Sequence, residues 1–307
     1  MPDALPASLA PLPVCQLEKP LNDALEQGRP IVLTAPTGSG KSTAVPLLLL
    51  RSLPAGRILV LEPRRIAARS LARRVANLLS ETPGATVGYQ TRYETRISRD
   101  TQIVFMTEGI LPRRLLDDPC LDGVAAVVFD EFHERSLQAD LSLGLVRRLV
   151  ETKRADLRLL VMSATLDADH VGEWLGARTL HADARMHPVD IRYVPPKNQQ
   201  PPWEAAARAA AGLLRETESG DILVFMPGLY EIRRTVQALT PLRGATLEVM
   251  PLHGTMPPSE QDRVLTPPPE GIRRVIVATN VAETSLTLPG VRHVVDSGLV
   301  NLARYDA

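Results

Sequence analysis

The sequence predicts an α/β protein with mainly parallel sheets, arranged as two domains. Three observations predict it. Short β-branched apolar runs recur from end to end, each followed by a loop rich in Gly, Pro, Ser or Thr and then by a helical pattern. The runs are almost continuously hydrophobic, which marks strands buried on both faces under crossover helices. Polar residues crowd their C-terminal ends, where open parallel sheets bind ligands. In order, IVLTAPTGSG (31–40) reads as strand and turn, with a helix beginning near Lys41. RILVLEPRR (57–65), IVFMTEG (103–109), VAAVVFDE (124–131) and LRLLVMSAT (157–165) are the further clear strands of a first segment expected to hold about five or six. MHPVDIRYVPPKNQQPPW (186–203) carries five prolines and reads as a stiff, extended connection. A boundary just before it gives a first domain over 1–184 and a second over 185–307. DILVFMPG (221–228), RVIVATN (274–280) and HVVDSG (293–298) then restart the rhythm, and TPPPEG (266–271) is a loop between a helix and a strand.

Composition narrows the function. At 307 residues, 44% hydrophobic and 23% charged, the chain is globular, which excludes disorder and collagen-like structure. Thirty-five Lys plus Arg balance 35 Asp plus Glu, so a polyanionic partner must be gripped by local patches and a histone-like basic surface is excluded. Aromatic residues are 4% of the chain, too few for rows of rings that stack bases. Cys15 and Cys120 lie far apart without zinc-site spacing, which fits a reducing compartment, and the cytoplasm is expected. No apolar run approaches the roughly 18 residues of a membrane span, and the first residues show no basic segment followed by an apolar one.

Ala35-Pro-Thr-Gly-Ser-Gly-Lys-Ser-Thr43 follows a buried strand and opens a helix. Glycines there let successive N–H groups turn inward beside the positive end of the helix, which makes an anion site. Lys41 would reach the β- and γ-phosphates and Ser42 would ligate Mg²⁺. The strict pattern has Gly where Ala35 stands. At AAVVFDE (125–131) a buried strand ends in two acids, costly unless they meet a cation. Asp130 reads as an outer Mg²⁺ ligand, acting through water, and Glu131 as the base that orients water. Alone this pair would pass for a strand-end turn; with Lys41 upstream it points to a nucleoside triphosphatase.

DEFHER (130–135) followed by SAT (163–165) brings in a resemblance to the DEAH-box RNA helicases of superfamily 2, and within them to the bacterial HrpB-type branch, which carries DEFH in place of DEAH. LPV (12–14) resembles the first motif of that family, TGSGKST (37–43) motif I, EPRRIAARSLARRVA (62–76) motif Ia and TEG (107–109) motif Ib. LVFMPGLYEI (223–232) resembles motif IV and ATNVAETSLTLPGVRHVVDSG (278–298) motif V. The resemblance implies two RecA-like P-loop domains, ATP with Mg²⁺ between them, and a single RNA strand across their top, translocated 3′ to 5′. It implies that Thr37, Gly38, Ser39, Gly40, Lys41, Ser42 and Thr43 hold the nucleotide and that His133 couples the nucleotide site to the second domain. Ser163 and Thr165 would link hydrolysis to unwinding. Arg74 matches the position that stacks on adenine, and Leu265 stands where the opposite aromatic is usual, so other nucleoside triphosphates should be accepted. RNA contacts would come from Arg64, Arg92 and Thr107 in the first domain and Thr279 and Asn280 in the second.

Independently of the family, Arg65, Arg69 and Arg73 share one helical face, either a solvated stripe or a phosphate contact. Phosphate contacts carry no sequence information, so binding should be sequence-independent and salt-sensitive. His253 in LHGTMPPSEQ is matched to motif IVa and lies either near RNA or on ordinary surface; His170, His181, His187 and His293 lack metal-ligand spacing. In this family the second domain ends in QRxGRxGR, whose arginines complete the γ-phosphate site. The sequence stops at NLARYDA before any such run, so a truncated chain is expected, with an incomplete, looser second domain, poor hydrolysis, and the winged-helix and ratchet segments missing. A nucleotide-gated RNA-binding module without unwinding and a DNA translocase are the competing readings.

Overall fold

A computed structural model describes residues 5–164, 168–183, 188–195, 199–283, 286 and 288–301. The chain divides into two compact units, residues 1–187 and 188–307.

The first unit runs α1 (Glu18–Glu26), β1 (Ile31–Thr34), α2 (Lys41–Ser52), β2 (Arg57–Glu62), α3 (Arg65–Leu78), β3 (Val87–Gln90), β4 (Thr95–Arg96), β5 (Ile103–Thr107), α4 (Ile110–Asp117), β6 (Val124–Phe129), α5 (Leu137–Thr152), β7 (Arg158–Ser163), α6 (Ala168–Leu175) and β8 (Arg178–His181). Its sheet has eight strands in the order β4-β3-β5-β2-β6-β7-β1-β8, all pairs parallel except β3–β4. The five or six strands read from the sequence are thus too few. The short β3, β4 and β8 carry no long apolar run to announce them.

Period-two alternation explains why both faces are buried. Ile31, Leu33, Ile58, Val60, Ile103 and Phe105 point into one core with Leu48 of α2 and Val75 of α3. Their neighbours Val32, Leu59, Leu61, Val104 and Met106 point into the opposite core with Leu143 and Val146 of α5. Ser136 caps α5 by accepting from the Ala139 N–H at 3.0 Å.

The second unit runs α7 (Pro202–Glu216), β9 (Asp221–Phe225), α8 (Leu229–Leu239), β10 (Leu247–Leu252), α9 (Pro258–Leu265), β11 (Arg273–Ala278) and β12 (Val291–Asp296). Its four-stranded parallel sheet has the order β10-β11-β9-β12. Ile222, Val224, Val275 and Val277 bury against Ala210 of α7 and Ile232 of α8. β12 lies at an edge and no residue of it is buried. The proline-rich stretch does not stay extended to its end, because Pro202 opens α7 at a first-turn position, where its missing N–H costs no hydrogen bond. Among the described residues no helix is long and apolar enough to cross a membrane.

Candidate nucleotide and RNA site

β1 ends at Thr34, and the chain turns through Gly38 (φ +79°) and Gly40 (φ +89°), left-handed conformations that side-chain-bearing residues rarely adopt. Gly40 caps α2, whose first residue is Lys41. The Lys41 ammonium is buried inside this loop and donates to the carbonyls of Ala35 (2.6 Å) and Pro36 (3.2 Å). Burial lowers its pKa, while the carboxylates of Glu131 and Asp130 act the other way. Thr43 Oγ1 donates to Gly40 O at 3.1 Å, and Ser42 is half-buried beside it. The Ser39 hydroxyl is buried with no hydrogen-bond partner among the described residues.

The acids stand at the end of β6. Asp130 N donates to Leu61 O at 3.0 Å, and Asp130 Oδ1 accepts from the Glu131 N–H at 2.8 Å. Among the described residues, Asp130 Oδ2 and Glu131 Oε2 are buried without a well-formed hydrogen bond. Burial raises both carboxyls: Asp130 against the pull of Ser42, the Glu131 N–H and Lys41, and Glu131, further raised by Asp130, up to about 7. Glu131 also has φ +47°, a strain of about 1–3 kcal/mol in a non-glycine residue. His133 Nδ1 lies 3.5 Å from Glu131 Oε2 and accepts from the Ala164 N–H at 3.4 Å. Burial lowers the His133 pKa, which favours the neutral ring, while the nearby carboxylates of Glu134 and Asp130 act the other way. The ring touches both the acidic segment and the end of β7, where Ser163 is buried. Thr165 lies outside the described residues.

A third carboxyl escaped the sequence reading. Glu62, the last residue of β2, is fully buried, its oxygens without a well-formed hydrogen bond among the described residues, and burial, followed by the charge and hydrogen bonding of the neighbouring Asp130, raises its pKa well above the ordinary value. An acid ending an apolar strand is the same signal that singled out Asp130. The folded protein holds this proton longer than the unfolded chain, so stability is lost as pH rises above the ordinary carboxyl value of 4.5. Glu62→Gln is expected to flatten the fall in melting temperature as pH rises above 4.5. Parallel melting curves for parent and variant would exclude this.

The remaining candidates line the same edge of the sheet. Glu62 and Thr107 are register partners at the ends of β2 and β5, and Arg92 follows β3. Arg64 donates to Glu134 Oε2 at 3.0 Å, a pairing that the sequence reading also missed. The Arg92 and Arg65 guanidinium carbons lie 5.4 and 5.3 Å from the centroid of the exposed Tyr93 ring. With strand order β3-β5-β2-β6-β7-β1, the RNA candidates occupy one half of the edge and the nucleotide candidates the other, meeting at β2. Arg69 is buried, so the Arg65, Arg69, Arg73 face is not a solvated stripe; apolar packing of α3 against the sheet takes its middle member inside. Arg74 is exposed on α3.

In the second unit Thr279 and Asn280 follow β11, and His253 follows the adjacent β10. Thr279 accepts from the Val281 N–H at 3.4 Å, and His253 Nδ1 lies 2.9 Å from Thr255 Oγ1. Leu265 is half-buried at the end of α9. His181 meets Thr34 and Asp183, His293 meets Ser219 O, and His187 lies outside the described residues.

A family model described as DEAD/DEAH box helicase matches residues 18–173. The chain belongs to the DEAD/DEAH box helicase family. A second model, the helicase conserved C-terminal domain, matches residues 205–305 of this helicase-family chain. It is 44% identical over 300 residues to the ATP-dependent RNA helicase HrpB of Escherichia coli, a match covering 97% of the chain and 37% of that relative. The HrpA homologue of Haemophilus influenzae is 37% identical over 300 residues, covering 96% of the chain and 23% of the relative. The crystal structure of Escherichia coli DEAH/RHA helicase HrpB superposes with a TM-score of 0.88 at 45% identity, covering 96% of this chain and 38% of that one. The helicase-family chain thus spans less than two fifths of the length of each of these relatives. The DEAH-box, HrpB-type resemblance and the two-domain P-loop fold of the sequence reading stand.

The residues present fit a magnesium nucleotide. Among the described residues no group of three or more His, Cys, Asp or Glu side chains is arranged to hold a metal. A cation on Ser42 and Asp130 would therefore need phosphate oxygens and water, which is how Mg²⁺ is usually held. The buried oxygens of Asp130 and Glu131 face the same requirement.

Proposed function

We propose that the chain is the ATP-driven part of an RNA helicase, with residues 1–184 as the nucleotide-binding domain and 185–307 as its helicase C-terminal partner. The observation that carries this is the buried cluster of Lys41, Asp130 and Glu131 at the C-terminal edge of one parallel sheet, beside strand ends bearing Arg64, Arg92 and Thr107. Residues 37–43 would hold the phosphates, and Ser42 with Asp130, through water, the cation. Mg²⁺ supplies charge neutralisation on the phosphates when bound. Glu131, once ionised, would take the proton of the attacking water, and neutral His133 and Ser163 would carry the state of that site onward. Arg74 and Leu265 would form a loose base clamp that admits nucleotides other than ATP. Single-stranded RNA, gripped through its backbone by Arg64, Arg92, Thr107, Thr279 and Asn280, would move 3′ to 5′. The paucity of cysteine agrees with a cytoplasmic setting.

No QRxGRxGR run occurs in the 307 residues, and an arginine finger contributes about 10³- to 10⁵-fold in rate. A second reading is a nucleotide-gated RNA-binding module that does not unwind. A steady-state ATPase assay of the 307-residue chain with saturating RNA is expected to give weak turnover. Full RNA-stimulated turnover would overturn the impairment, and strand displacement by the same chain would remove the second reading. Competition between RNA and DNA strands tests translocation on DNA, because 2′-hydroxyl contacts separate the two.

A further inference from the structure

The phosphate loop is braced from outside by the segment before α1. Leu9 and Val14 are buried in the first unit's core, and a single helical turn over Pro13–Leu17 leads into α1. Val14 N donates to Ser39 O at 3.3 Å, so the segment is hydrogen-bonded to the phosphate loop itself. A Cβ placed on Gly40 would stand 2.5 Å from Leu12 Cδ1 and 3.2 Å from both Leu12 Cβ and Cγ. Leu12 is thus in contact with the one peptide whose left-handed turn sets the direction of the Lys41 N–H and side chain. Cys15 Sγ donates to Leu9 O at 3.2 Å and closes the segment on itself.

We propose that Leu12 is a positioning residue for nucleotide binding: with the Val14 N–H it holds the Ser39–Gly40 turn in its phosphate-accepting shape, without touching the nucleotide. The inference rests on the reading of residues 37–43 as the phosphate loop. A loop held in its binding shape loses less freedom when the ligand arrives, so the brace should act on affinity more than on folding. Leu12 is half-buried at the edge of the first unit's core, so truncating it removes less packing than at a fully buried core position.

The test is fluorescence titration of the 307-residue chain with mant-ADP and Mg²⁺, alongside its melting temperature without nucleotide. Leu12→Ala is expected to weaken mant-ADP binding about tenfold, equivalent to roughly 1.4 kcal/mol, with little change in melting temperature. Leu12→Met, which still covers Gly40, should restore binding. Gly40→Ala should bind poorly, and adding Leu12→Ala to it should recover part of the loss because the clashing methyl group is gone. If the parent chain does not bind mant-ADP, the phosphate-loop reading itself fails and the brace with it. If the parent binds and Leu12→Ala binds equally well, only the brace is overturned. It is also overturned if Leu12→Ala and Leu12→Met lose affinity and melting temperature together, or if the Gly40→Ala and Leu12→Ala losses simply add.

Discussion

Glu131→Gln is expected to slow single-turnover ATP hydrolysis by about 10²- to 10⁴-fold, the usual contribution of a positioned base, while nucleotide still binds. The substitution keeps the size of the side chain and its contact with His133 but removes the group that accepts a proton. In the proposed reading phosphate binding relies on the loop and Lys41, on a different strand end, and should survive. The pH profile separates this from a general disturbance. With its carboxyl pushed up to about 7 by burial and by Asp130, Glu131 is ionised only on the alkaline side. The parent rate should therefore fall as pH drops through about 7, whereas the residual rate of the variant should not follow that limb. Rapid-quench measurement across this range decides it; a variant as fast as the parent would remove Glu131 from its role.

Arg274→Ala is expected to destabilise the second unit by about 3–5 kcal/mol, the cost of leaving a buried charge without its partner. Arg274 is 1% exposed, and its guanidinium makes four hydrogen bonds. Its Nε donates to Asp221 Oδ2 at 2.7 Å, its backbone N to Asp221 Oδ1 at 2.8 Å, and Nη1 to the carbonyls of Val264 (3.0 Å) and Thr266 (2.8 Å). Nη2 donates to Pro289 O at 2.7 Å. One guanidinium thus ties β9, β11, the end of α9 and the turn before β12. Lysine cannot reproduce that fork, so Arg274→Lys should recover little of the loss. Urea unfolding reads the effect directly, and a loss below about 1 kcal/mol would show the network to be dispensable.

The buried parallel strands were legible because runs such as RILVLE and VAAVVF are apolar on both faces. β10 was not, since LEVMPL carries Pro251, which a sheet accommodates most easily at an edge, and β10 is an edge strand. β3 hides behind Gly88, where any Cβ would run into the Arg96 carbonyl of the neighbouring strand. In the site, the loop and the acids at the end of β6 could be read from spacing alone. Glu62 carried the same signal, an acid ending an apolar strand, and was passed over; its pairing beside Asp130, like that of Glu134 beside Arg64, depends on what neighbouring segments bring together. The burial of Arg69 likewise depends on how α3 sits on the sheet, which its helical spacing does not specify.

The meeting of the two half-edges at β2 bears on timing. β2 pairs with β5 on one side and β6 on the other, so the segments bearing Arg64 and Asp130 leave neighbouring strands of one sheet, and Arg64 is paired with Glu134, four residues after Asp130. Side-chain rearrangements take picoseconds to nanoseconds, whereas domain motions take microseconds to milliseconds. Within the first unit, a change of charge at the acids would reach the arginine that is the candidate grip on RNA long before any domain could move. Substitutions at Arg64 or Glu134 should therefore alter how strongly the nucleotide and RNA candidates of this sheet edge sense each other.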